Sequence, residues 1–443
     1  MSKFNSFLEN KVMPVAGRIA GQRHLQALRD GIVLSTPLLI IGSIFLILAN
    51  LPFEGYLAFM SHVFGKDWTT ALSYPVSATF GIMALIASFG IAYRLAEKYG
   101  VDPLSSGAIS VAAFILATPT FTEFLPAGAK AAVHVTGVLP MMYMGSKGLF
   151  VAMILALIST EIYRKIIQMN IVFKMPDGVP PAVSKSFVAL IPGAAVILVV
   201  WLLRLGVEHT SFHDLHSVVT KLLAGPLGAF GGSLFGTIII VLLLNLLWTT
   251  GLHGGAIVGA VMGPIWLSSL DDNRLAIAAG HDPHNIFTQP FFDLFVYMGG
   301  SGVTVVFAFM MAFFSKSQQA KQLGRLALGP GLFNINEPIV FGAPVVMNPI
   351  LMVPFILTPV ITTIVTYLAM KTGMVPLTNG VLPPWTSPPI MGGYLATLSW
   401  KGAAMQLVNL AIAFSIYFPF FKIWDKQNLM LESGSENEAK KVS

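Results

Sequence analysis

The chain has 443 residues, 55% of them hydrophobic and only 10% charged, with a mean hydropathy of +0.75. Soluble globular chains carry about a quarter charged residues, so this composition excludes that class and points to a polytopic membrane protein. The formal charge of +6 and pI near 9.3 read as Lys and Arg retained on the cytoplasmic side, with no nucleic-acid partner expected. The chain has no cysteine, which removes disulfides, thiolate metal sites and a cysteine nucleophile. Apolar stretches near ~20 residues long suit a bundle of helices; an outer-membrane barrel would show alternating strands of roughly ten residues.

In chain order, the first thirty residues are charged and amphipathic, without a signal-peptide pattern. Lys3, Lys11, Arg18, Arg23 and Arg29 alternate with Phe4, Phe7, Leu8, Val12, Val15 and Ile19 near helical spacing. That pattern predicts a helix lying on lipid at the membrane interface; a solvated tail is the alternative. Candidate spans follow at Gly31–Leu51, Ala71–Tyr93, Leu104–Phe124, Gly148–Tyr163 and Phe187–Gly206. An amphipathic linker at 208–227 divides the chain into halves, 1–207 and 228–430. The second half offers Gly228–Trp248, Leu252–Leu270, Phe292–Phe314, Ile350–Met370 and Gly402–Phe421, about ten spans altogether. Residues 431–443 read as a disordered polar tail. With both termini cytoplasmic, this topology puts 18 Lys and Arg inside and 8 outside, the favoured orientation.

Three stretches are too interrupted for plain spans. Thr249–Gly263 places Gly251, Gly254, Gly255, Gly259 and Gly263 around His253. Leu326–Pro349 carries three asparagines, four prolines and a single acid, Glu337. Thr378–Gly393 has four prolines beside Trp385. Broken backbone at membrane depth is tolerated only where it is buried in protein or lines a cavity, and a carboxylate there is a functional site by default. Half-helices of this kind aim dipoles at a midplane substrate in transporters, although glycines also serve close helix packing.

A neutral polyhydroxylated ligand needs a few acceptors, amides and a flat aromatic face in an apolar pocket. Asn245, Trp248, His253, Gly254, Gln289, Asn334, Asn336, Glu337 and Trp385 form such a set. Each has a plainer reading. Trp248 suits an interface belt, Asn245 and Gln289 suit interhelical hydrogen bonding, His253 suits a satisfied buried histidine, and Glu337 suits a structural ion pair. If the ligand is phosphorylated while bound, Glu337 is placed to accept the hydroxyl proton and His253 to orient it. No GxxxxGKS or GxGxxG occurs, so nucleotide hydrolysis by those routes is not expected. His281, Asp282 and His284 read as ordinary loop residues, and neither a metal nor a cofactor is called for.

The blocks NINEPIVFGAPVVMNP, TTGLHGG, FTQPFFD and VLPPWTSPPIMGGY, with AGQRHLQALRDGIVLSTPLLIIGSIF near the N-terminus, carry a family resemblance over nearly the whole chain. It resembles the enzyme IIC (EIIC) component of the bacterial phosphoenolpyruvate-dependent sugar phosphotransferase system, in its lactose, cellobiose and diacetylchitobiose family. The resemblance implies an all-α polytopic protein of the bacterial inner membrane, with ten helices and two re-entrant hairpins per protomer. It further implies a homodimer joined through the N-terminal helices and an elevator-like movement of the sugar-holding half. Glu337 and His253 would then contact the sixth-carbon hydroxyl, Trp385 would stack on a sugar ring, and Asn336 would help bind. The phosphoryl donor would be a cysteine of phosphorylated IIB. With no cysteine here, that IIB is expected on a separate chain, which favours cellobiose or diacetylchitobiose over lactose. The competing reading is a proton-coupled sugar symporter with Glu337 as its proton site; a further one is a non-transporting sugar receptor.

Overall fold

The computed structural model describes residues 14, 17, 18, 21–51, 53–125, 131–176, 178–343 and 345–442. The interfacial helix expected at the N-terminus falls almost wholly outside them. The chain divides into two compact units, one comprising Gly21–Leu46 and Asp67–Ala229, the other including Ile47–Lys66 and Phe230–Ser443. The change of unit after Ala229 falls close to the end of the expected linker, but the short helix α2 (Glu54–Phe64) groups with the C-terminal half.

The first unit is built on α1 (Arg23–Ala49), α3 (Trp68–Tyr99), α4 (Pro103–Ala117), α5 (Leu149–Gln168), α6 (Val183–Glu208) and α7 (Leu215–Gly231). Small residues set its close approaches: a Cβ on Gly31 would come within 2.4 Å of the Ile91 backbone, so α1 and α3 meet nearly backbone to backbone. Helix α4 starts where Asp102 accepts the Ser105 N–H at 3.0 Å, with Pro103 at the first helical position. It ends at Ala117, short of the expected span, because Pro119 cannot continue the helical ladder. The chain beyond forms an antiparallel hairpin, β1 (Phe121–Phe124) against β2 (Val133–Thr136), in place of the end of the expected Leu104–Phe124 span.

The second unit continues with α8 (Leu234–Thr249), α9 (Gly254–Ala278), α10 (Val305–Phe314), α11 (Gln318–Leu332), α12 (Glu337–Gly342), α13 (Pro349–Lys371), α14 (Met391–Thr397) and α15 (Trp400–Val442). Among the described residues, five helices are long and apolar enough to cross a membrane, or six if α7 and α8 form one bent span. The expected ten are therefore not all continuous helices, and the reason is local. Phe292–Phe314 is a π-helical turn over Phe291–Val296, then irregular backbone with Gly299, Gly300 and Gly302 at positive φ, then α10. Leu252–Leu270 is the first part of α9, whose later turns carry Asp271, Asp272 and Arg274. The last helix continues through the polar segment 431–442, which reads from sequence as a disordered tail.

Candidate functional site: a cavity between broken segments

A cavity of about 760 Å³ lies within the second unit, a size usual for small-molecule sites. Four interrupted stretches supply its wall, and each is shaped by residues that stop a helix.

The first stretch ends α8. Thr249 and Thr250 turn their hydroxyls back to the carbonyls of Leu246 and Leu247, each at 2.7 Å, and Gly251 takes φ +83°. His253 then caps α9, its Nδ1 accepting the Ala256 N–H at 3.0 Å. Since Nδ1 accepts, the neutral ring carries its hydrogen on Nε2. The Trp248 ring lies 4.4 Å from the His253 ring, centroid to centroid, and both line the cavity. Among the described residues, Trp248 Nε1 and Trp266 Nε1 are buried without a hydrogen-bond partner, and both rings belong to the wall.

Two expected contacts on this stretch sit elsewhere. A Cβ on Gly254 would come within 2.0 Å of the Leu244 carbonyl oxygen, so this glycine serves the approach of α9 to α8, and Gly255 and Gly259 face the cavity instead. Asn245 is fully buried, donates from Nδ2 to Val241 O at 2.8 Å, and is not on the wall. That bond lies within α8 and is not the interhelical bond of its plainer reading.

The second stretch runs from Gln289 to Ser301. Gln289 Nε2 donates to both carboxylate oxygens of Asp293, at 2.9 and 3.0 Å, and both residues line the cavity with Tyr297. Asp293 is a second acid on the wall that sequence reasoning missed. The signal was present: a carboxylate among phenylalanines in a candidate span merits the argument applied to Glu337.

The third stretch joins α11 to α12. Asn334 has φ +63°, a left-handed conformation that asparagine tolerates better than most residues. Its Oδ1 accepts the Gly299 N–H at 2.6 Å, and its Nδ2 donates to Trp385 O at 2.5 Å and Ser387 O at 3.3 Å. The amide of Asn334 is thus committed to joining three segments, although the residue borders the cavity. Asn336 is buried against Gly300 and donates from Nδ2 to Ser301 O at 2.9 Å. Glu337 opens α12 with Pro338 behind it and is exposed to the cavity. Among the described residues it has no ion-pair or hydrogen-bond partner, unlike the structural ion pair that was its alternative.

The fourth stretch presents Trp385, half exposed, with its backbone carbonyl held by Asn334. Seven of the nine expected residues therefore border one cavity: Trp248, His253, Gln289, Asn334, Asn336, Glu337 and Trp385. Replacing Asn334 with alanine is expected to weaken ligand binding about as much as removing the Trp385 ring, since it frees the Trp385 carbonyl. The double replacement should then cost far less than the sum, because contacting residues are not additive; isothermal titration of the four proteins checks this.

Comparison with known proteins agrees with this architecture. Residues 29–359 match the family model described as "Phosphotransferase system, EIIC". The chain is 59% identical to the lichenan permease IIC component of Bacillus subtilis (strain 168), covering 98% of this chain and 97% of that one. It is 61% identical to the cellobiose-specific EIIC component of Geobacillus stearothermophilus, covering 96% and 95%. The crystal structure of the transporter ChbC, the IIC component of the N,N'-diacetylchitobiose-specific phosphotransferase system, superposes with a TM-score of 0.93 at 56% identity, covering 97% of this chain and 99% of that one. The chain is a multi-pass membrane permease component and belongs to the EIIC family of the sugar phosphotransferase system, in its lactose, cellobiose and diacetylchitobiose group.

Proposed function

We propose that this permease binds a β-linked disaccharide of the cellobiose or N,N'-diacetylchitobiose type and presents its sixth-carbon hydroxyl to phosphorylated IIB. The observation that carries this reading is the meeting of a carboxylate without a partner among the described residues, Glu337, an imidazole, His253, and an exposed indole, Trp385, around one cavity of about 760 Å³. Similarity to cellobiose, lichenan and diacetylchitobiose permeases supports the substrate class.

In this reading the Trp385 face takes the C–H side of a sugar ring, and Asn336 and Gln289 border the hydroxyls. His253 Nε2–H donates to the sixth-carbon oxygen and orients it. Glu337 accepts the hydroxyl proton as that oxygen attacks the phosphorus of phosphocysteine on IIB. The new O–P bond forms as the S–P bond breaks, and the thiolate leaves with IIB. Phosphoryl transfer asks mainly for positioning and charge stabilisation, which this arrangement supplies.

The family resemblance extends the proposal to a homodimer of ten-helix protomers with two re-entrant hairpins and both termini cytoplasmic. Residues 228–430 would form the transport domain, moving as an elevator against the scaffold of 1–207 by way of the linker 208–227. The decisive experiment supplies phosphorylated IIB inside vesicles containing the purified permease and cellobiose or diacetylchitobiose outside. Sugar phosphate should accumulate in the lumen; concentrative uptake of unmodified sugar driven by a proton gradient alone would replace this reading with the symporter. Trp385→Ala is expected to lower sugar affinity about five- to tenfold while phosphoryl transfer survives, since aromatic stacking contributes about 1 kcal/mol beyond area burial. Equilibrium titration beside single-turnover transfer separates the two effects.

A further inference from the structure

A second hollow of about 440 Å³ in the same unit has an entirely apolar wall, formed by α10, α11, α15 and the segment before α14. Phe309, Leu328, Leu332, Pro389, Ile390 and Phe414 are among its residues. With no polar side chain on it, this wall offers nothing to a sugar and suits a hydrocarbon chain.

The helices that build the groove carry cations at one end of it. On α11, Lys321, Arg325, Leu328 and Leu332 recur at i, i+4, i+7 and i+11, which places them within roughly 60° of helical arc. On α15, Ala411, Phe414, Phe418 and Lys422 recur at i, i+3, i+7 and i+11, again on one side of the helix. Lys422 Nζ lies 4.4 Å from the Phe418 ring centroid. The two basic ends coincide. Gly324 packs on Ala312 and Gly331 on Val305, so α10 and α11 run antiparallel. The start of α11 is tied to α15 where the Lys316 N–H donates to Asp425 at 2.9 Å and the Gln319 N–H to Glu432 at 2.8 Å.

Those two acids are occupied by backbone N–H groups and by the hydroxyls of Ser315 and Ser317. Among the described residues no carboxylate pairs with Lys321, Arg325 or Lys422. An apolar slot with an uncompensated cationic end is complementary to an anionic amphiphile. We propose that this groove holds an acyl chain of an anionic phospholipid, with the headgroup phosphate against Lys321, Arg325 and Lys422.

The test is native mass spectrometry of the full-length protein in detergent with phosphatidylglycerol or phosphatidylcholine added. Wild type should retain phosphatidylglycerol at least about tenfold better, since each basic side chain near an anionic lipid is worth about fivefold. The variant Lys321→Gln/Arg325→Gln/Lys422→Gln should lose that preference, and Ala411→Trp, which fills the groove, should lose retention of both lipids. None of these residues borders the sugar cavity, so unchanged disaccharide binding certifies that each variant is folded. The proposal fails if wild type retains the two lipids equally, or if the folded triple variant still prefers phosphatidylglycerol. It also fails if inorganic phosphate displaces the lipid while Ala411→Trp has no effect, because the site would then take a soluble anion.

Discussion

Glu337→Gln is expected to lower the rate of phosphoryl transfer to bound disaccharide by about 10²- to 10⁴-fold, the usual contribution of a positioned general base. The carboxylate opens α12, is exposed to the cavity, and has no protein partner among the described residues. Glutamine keeps the shape and one acceptor oxygen but cannot take up a proton at neutral pH. Sugar affinity should therefore fall far less than the transfer rate. Single-turnover transfer from phosphorylated IIB at saturating sugar, alongside titration of sugar alone, measures the two quantities separately. Transfer at the wild-type rate would remove Glu337 from the role of base, and an equal loss in both would make it a binding residue only.

Gly300→Ala is expected to raise the sugar dissociation constant by about 10- to 100-fold. Gly300 has φ +86°, and a Cβ there would come within 2.6 Å of Asn336 Cγ and 2.7 Å of its Cβ. The left-handed backbone costs about 1–3 kcal/mol for a residue with a side chain. Asn336 is buried and bonded to Ser301 O, so relief requires its displacement, and Glu337 follows in sequence. The control is Gly280→Ala, with φ +79° and nothing within 4 Å of the added Cβ. The control should share the backbone penalty and keep sugar affinity. Calorimetric binding together with thermal unfolding of both variants distinguishes cavity distortion from loss of stability. Equal affinities in the two would show that Asn336 tolerates the displacement.

These two residues differ in how they could be known. Glu337 was legible from sequence because charge within a long apolar chain is expensive, and a lone acid flanked by helix-breaking residues rarely serves packing alone. Gly300 was one glycine among many, and its weight comes from a neighbour that is 36 residues away in sequence. Asp293 lies between them: its chemistry is visible in the sequence, but its neighbourhood reads as the Phe292–Phe314 span, which the glycines at 299, 300 and 302 interrupt.

What the sequence determined by itself was the solvent and the breaks. Composition established a membrane protein, and Gly and Pro marked the interrupted stretches that bring Trp248, His253, Asn336, Glu337 and Trp385 to one cavity. Tertiary structure alone decided which polar groups remain free for a ligand. Asn334 reads from sequence as the same kind of amide as Asn336, yet it holds Gly299, Trp385 and Ser387 together. A side chain's hydrogen-bonding capacity belongs to its residue type and can be read from the letter. Whether that capacity is already spent depends on which distant backbone groups lie within about 3 Å, and only the folded chain sets that.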